Sequence, residues 1–177
     1  MFLRKQFLIA SVVSVFLLAA CSRQPSNPTT VTSPSPARGG LATSLNFVTA
    51  RIAKIELPAG GSNESTVSVE VQKGYHINAN PATDPWLKAT EVVPQPGDGL
   101  TVGYVKYPAA LNKKFSFSEK QLAVYEGEVP IKVMLKADKT TAKGPHKVAA
   151  KLNVQACDDQ VCYAPGTLEL SIPVVVN

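Results

Sequence analysis

Cys157 and Cys162 stand with four residues between them in QACDDQVCYAP, residues 155–165, and no other two cysteines of the chain lie so close. Two neighbouring thiols support three kinds of chemistry: a permanent crosslink, reversible exchange with another protein's thiols, or half of a metal site. A zinc centre needs further ligands at fitting distance. His76 and His146 are the only histidines, so no metal and no cofactor is expected. A disulfide here closes a loop of six residues counting both ends, for which chain entropy gives a stabilisation of about 2 kcal/mol. A staple built for stability more naturally joins distant strands. Spacing alone leaves crosslink and exchange pair both open. Asp158 and Asp159 directly follow Cys157, and their charge disfavours a neighbouring thiolate. Any exchange is therefore expected to start from a partner's thiolate, with this pair as a passive carrier.

Whether a disulfide persists depends on the compartment. The stretch 1–20 places Arg4 and Lys5 before an apolar run, the pattern of a secretory signal and too short for a stable membrane span. It ends in Leu18-Ala19-Ala20-Cys21, which resembles a bacterial lipobox, so Cys21 is expected to carry lipid. Ser22 follows where an Asp would favour inner-membrane retention, and the expected location is the periplasmic side of the envelope, anchored to the outer membrane. Losing Arg4 and Lys5 with the leader lowers the formal charge from +5 to +3. No dense Lys/Arg cluster is interleaved with aromatics, so nothing supports nucleic-acid binding. Residues 21–43 are rich in Ser, Thr, Pro and Gly. They read as a disordered tether with a reach of about 25 Å.

Residues 44–177 make one domain. Period-two alternation recurs in 44–57, 65–72, 128–137, 146–156 and 166–176, separated by Pro/Gly turn signals. No window carries a convincing helical period; 115–125 comes nearest. Short strands at this spacing, with no helices to make parallel crossovers, predict an all-β fold, an immunoglobulin-like antiparallel sandwich.

The segments GYHINANPA (74–82), KKFSFSEKQLAVYEGEVPIKV (113–133), GPHKVAAKLNVQAC (144–157) and CDDQVCYAP (157–165), in that order, resemble the N-terminal periplasmic domain of the thiol:disulfide interchange protein DsbD family. The resemblance runs from about residue 45 to the C-terminus and implies an immunoglobulin-like sandwich. It implies that Cys157 and Cys162 carry electrons from a thioredoxin-like donor to periplasmic proteins with disulfides, cytochrome c biogenesis being one process so served. Tyr163 and Pro165 match residues that follow the pair. Lys113 to Ser118 fall where the family has a cap loop with an aromatic lid, leaving open whether Phe115 or Phe117 is that lid. Tyr75, His76 and Asn78 match a strand beside the cysteines.

Blander readings stand beside these. Phe115 and Phe117 alternate with serines, as the inward face of a strand would. Tyr75 reads equally as a core aromatic, His76 as a satisfied structural histidine, His146 as a turn-flanking surface residue and Trp86 as end packing. The sequence shows no second apolar run of spanning length and no C-x-x-C, so electrons are expected from a separate protein. The rival from another class is a non-catalytic adaptor lipoprotein whose disulfide only shapes a loop.

Overall fold

The computed structural model describes residues 41–177; the leader, Cys21 and nearly all of the tether lie outside the described residues. A single 3₁₀ turn, Ser44–Asn46, precedes twelve strands. The first sheet holds β1 (Val48–Ile52), β3 (Ser62–Val71), β9 (Glu128–Ala137) and β6 (Leu100–Lys106), in the order β1-β3-β9-β6. The second holds β2 (Ile55–Leu57), β12 (Gly166–Val176), β10 (Gly144–Val154) and β5 (Glu91–Gln95), in the order β2-β12-β10-β5. Strict alternation dictates which residues face inward. Val67, Val69 and Val71 of β3 and Ile131, Val133 and Leu135 of β9 turn to the same interior as Val148, Ala150 and Leu152 of β10 and Leu170, Ile172 and Val174 of β12. Each such Val, Leu or Ile contributes roughly 1.5–3 kcal/mol by leaving water. The two inner faces make the body of an immunoglobulin-like sandwich.

Among the named strands of the described residues, pairing is antiparallel except that β2 runs parallel to β12. The stretch 44–57, read as one alternating segment, is a 3₁₀ turn and two strands because the chain leaves the first sheet after Ile52 and joins the edge of the second.

A third sheet, ordered β11-β4-β8-β7, grows from one end of this sandwich out of continuations of its long strands. After β3, the turn 72–75 leads into β4 (His76–Asn78); Gly74, at φ +88°, supplies a conformation that side-chain-bearing residues rarely adopt. β8 (Gln121–Tyr125) runs through Glu126-Gly127 into β9, and β10 passes Gln155 to become β11 (Ala156–Cys157). β7 (Leu111–Lys114) pairs with β8 at the outer edge, and the hairpin tip between them is 115–120. Among the described residues, no helix is long and apolar enough to cross a membrane.

The third sheet has two unlike faces. Ile77, Tyr125 and Ala156 join the main core. On the opposite face Leu122 and Val124 pack with Leu87 and Phe115 in a separate small cluster, with Ala82 and Phe117 at its rim. Residues directly opposite in a ladder share a face, and Cys157 lies opposite His76. The cysteine therefore stands on the face that the hairpin tip covers.

Candidate functional site

Cys157 ends β11, and Cys162 faces it across a tight hairpin as an isolated antiparallel pair, bonded through their sulfurs with Cα atoms 3.9 Å apart. Cys157 is fully buried and Cys162 half-buried. The hairpin is also closed without sulfur. The Tyr163 N–H donates to the Ala156 carbonyl and the Asp158 N–H to that of Val161, both at 2.9 Å. Asp158 turns its carboxylate into the loop: one oxygen accepts the Gln160 and Val161 N–H groups at 2.8 Å, and the other accepts the Tyr163 hydroxyl at 2.8 Å. Those N–H groups, Val161 first, hold the Asp158 carboxyl below its usual range. The same Asp158 bond pushes the Tyr163 phenol up to about 12. Asp158 is thus the cap of this turn as well as a charge beside the sulfurs, while Asp159 is exposed.

The base of the hairpin is gripped from far away in sequence. Buried Ser44 accepts the Ala156 N–H at 2.9 Å and donates its hydroxyl to the Ala164 carbonyl at 2.7 Å. Phe47 stacks on Tyr75 with ring centroids 3.9 Å apart and leans on Tyr163 at 4.6 Å. Gly166 has no room for a side chain, because a Cβ there would stand 2.5 Å from Leu45. Ser44→Ala strands the buried Ala156 N–H, at a cost of about 1–3 kcal/mol. Thermal melting and the hydrogen-exchange protection of the Ala156 amide are expected to fall together; an unchanged amide would show that the hairpin base does not depend on Ser44.

His76 is 2 % exposed and stacks on Phe115 with ring centroids 4.0 Å apart. Its Nε2 is buried without a hydrogen-bond partner. Burial, the leading cause, pushes its pKa down against the pull of Glu126, Asp159 and Asp158, with Lys113 adding to the fall. Phe117 stacks behind Phe115 at 5.5 Å. Neither phenylalanine is in a strand: both lie in the tip 115–120 and fold onto the small cluster. The tip is pinned on two sides, by the Ser116 hydroxyl donating to the Asp159 carbonyl at 2.7 Å and by a Lys120–Asp84 ion pair at 2.6 Å. A cleft of about 530 Å³ opens alongside, lined by Tyr75, His76, Lys113, Glu126 and Asp159 among others.

Asn78 is fully buried and serves as a brace. Its amide donates to the Lys88 carbonyl and to Gln155 Oε1, both at 3.1 Å, fixing the loop that delivers Leu87 to the strand that delivers Cys157. Tyr75 sits next to His76 but faces the main core, where it packs with Phe47. Among the described residues, no three His, Cys, Asp or Glu side chains are grouped so as to hold a metal ion.

The family model described as "Thiol:disulfide interchange protein DsbD, N-terminal" matches residues 45–172 of the chain. The chain belongs to the DsbD N-terminal domain family. No curated protein matches it. Among solved structures, the reduced DsbD N-terminal domain of Neisseria meningitidis is 20 % identical, with 78 % of this chain and 93 % of that one covered and a TM-score of 0.46. The N-terminal periplasmic domain of ScsB from Proteus mirabilis is 13 % identical, with 72 % and 46 % covered and a TM-score of 0.49. The seventh ScaB type I cohesin of Pseudobacteroides cellulosolvens is 14 % identical, with 74 % and 92 % covered and a TM-score of 0.47.

In this DsbD N-terminal family member, the structure brings Cys157, Cys162, His76, Phe115, Phe117, Asp158, Asp159 and Tyr163 to one end of the sandwich. Asn78 and Tyr75 stand behind them, as brace and core wall. Ser44 and Phe47 escaped sequence reasoning. The turn cap was legible in principle: an Asp whose side chain reaches the N–H groups two and three residues on is an ordinary turn signal.

Proposed function

We propose that the protein is a membrane-tethered periplasmic thiol–disulfide exchange module in which Cys157 and Cys162 cycle between disulfide and dithiol. One observation carries this reading: in a DsbD N-terminal family chain, the loop bearing the disulfide is held in shape by bonds that do not use the sulfurs. Opening the bridge leaves the hairpin standing.

The division of labour follows from access. A thioredoxin-like donor's thiolate attacks half-buried Cys162, the Cys157–Cys162 bond breaks, and its electron pair leaves on buried Cys157. The donor's second thiol then releases the dithiol, which reduces a periplasmic acceptor's disulfide by the reverse sequence. Phe115 serves as the lid, with Phe117 behind it. Cys21 carries the lipid, the Ser/Pro-rich stretch is the tether, and the anchor lies in the outer membrane. No cofactor or metal takes part.

The reduction potential of the pair separates this reading from an adaptor with a structural bridge. A carrier is expected at roughly −200 to −270 mV, within reach of thioredoxin-like donors, whereas a structural disulfide lies below about −300 mV. Equilibration of the full chain with glutathione or dithiothreitol buffers measures it. A value in the lower range overturns the exchange reading.

A further inference from the structure

A buried imidazole nitrogen with no hydrogen-bond partner is costly and calls for a reason. His76 Nε2 is such a nitrogen. Its ring is trapped between strand and lid, stacked on Phe115. Its cross-strand partner is Cys157, and opposed residues in an antiparallel ladder hold their Cβ atoms about 4.5–5.5 Å apart on one face. A disulfide sulfur has no hydrogen to donate. A thiol has one. A Cys157 thiol, formed only on reduction, would offer on this face the donor that Nε2 lacks.

We propose that His76 is the proton acceptor for Cys157, a role that rests on the exchange reading above. In the dithiol, the Cys157 S–H donates to Nε2. When the module delivers its electrons, the Cys162 thiolate attacks the acceptor's disulfide, forming a Cys162–acceptor bond and releasing one acceptor thiolate. Cys157 then attacks the Cys162 sulfur while its proton passes to Nε2. The Cys157–Cys162 bond re-forms, the acceptor's second sulfur leaves as thiolate, and the imidazolium returns its proton to solvent. Two electrons pass to the acceptor, and the acceptor's sulfurs are reduced.

The surroundings suit this work. Burial keeps the resting imidazole neutral and able to accept, while Glu126 of β8 and Asp158 and Asp159 of the cysteine loop favour the imidazolium once formed, against Lys113 of β7. A base is needed here because those two aspartates work against a bare Cys157 thiolate.

The test follows single turnover of the reduced full chain with one equivalent of an aromatic disulfide whose released thiolate is coloured. The first release reports attack by Cys162 and the second reports attack by Cys157. His76→Phe keeps a flat ring against Phe115 and removes both nitrogens. It is expected to leave the first release unchanged and to slow the second on the order of a hundredfold. The parent's second release should rise with pH through the titration of the imidazole, and His76→Phe should lose that limb. His76→Gln restores an acceptor without a base. It is expected to recover the glutathione equilibrium, which His76→Phe shifts by up to about tenfold, but not the rate. An unchanged second release in both variants overturns the proposal. Failure of the exchange reading shows elsewhere, as a parent disulfide that a thioredoxin-like donor does not reduce.

Discussion

Cys157→Ala is expected to turn the protein into a trap: mixed with a thioredoxin-like partner whose resolving cysteine is replaced and whose attacking cysteine is loaded with a small aromatic thiol, the lone Cys162 thiolate displaces that thiol and forms a stable mixed disulfide that no second thiol resolves. The converse variant, Cys162→Ala, is expected to trap on the order of tenfold more slowly or worse, because its remaining thiol is fully buried on the covered face. The asymmetry is what burial demands and what a symmetrical pair would not show. Neither variant should melt far below the parent. The crosslink itself is worth only about 2 kcal/mol for so short a loop, and the Asp158 cap, the Tyr163–Ala156 bond and the Ser44 clamp all survive the substitution. Non-reducing electrophoresis and mass spectrometry read the adduct, and a thermal melt reads the fold. Equal trapping by the two variants would refute the assignment of Cys162 as the attacked sulfur. No trapping together with a large fall in melting temperature would make the pair a staple.

The parts of the fold that the sequence reveals are those where burial is one-sided and the strand long. β9 and β12 alternate without a break, and both fall at the limits that the alternation predicts, 128–137 and 166–176. The parts it hides are short or unpatterned. All four residues of β7 are exposed, so no apolar rhythm marks it, and β4 is buried on both sides and only three residues long. The alternation of Phe115 and Phe117 with serines imitates a strand although these residues form a hairpin tip. Both rings fold onto one small cluster because the tip lies flat on the sheet.

The site divides in the same way. The cysteines and their flanking residues are adjacent in sequence, and family resemblance brings the strand at 76–78 beside them. Ser44 reaches Ala156 across 112 residues, and a hydroxyl at the head of a strand-like stretch carries no mark of so distant a partner. Asp158 is legible as a charge and, through the Gln160 and Val161 N–H groups two and three residues on, as a turn cap, but its hold on the Tyr163 hydroxyl is not.

Phe115→Ala is expected to expose the pair without unfolding the domain. Phe115 is 6 % exposed, and truncating a buried phenylalanine costs roughly 3–5 kcal/mol when the loss falls on a core. Here it falls on a satellite cluster of four buried residues, separate from the main core and roofed by a hairpin tip. That tip is fastened at its ends by single bonds to Asp159 and Asp84. The cheapest response is for the tip to lift, a local opening well below the free energy of global unfolding. Since about 1.4 kcal/mol is tenfold in a population, reduction of the disulfide by a thioredoxin-like donor should speed up on the order of ten- to a hundredfold, and more than reduction by a small thiol that needs less clearance. Phe117→Ala removes only the half-buried ring stacked behind, and should change the rate far less. Stopped-flow reduction kinetics and amide exchange across 113–125 separate the outcomes. A domain that loses several kcal/mol of global stability with no change in reduction rate would place Phe115 in the structural core and leave the site without a lid.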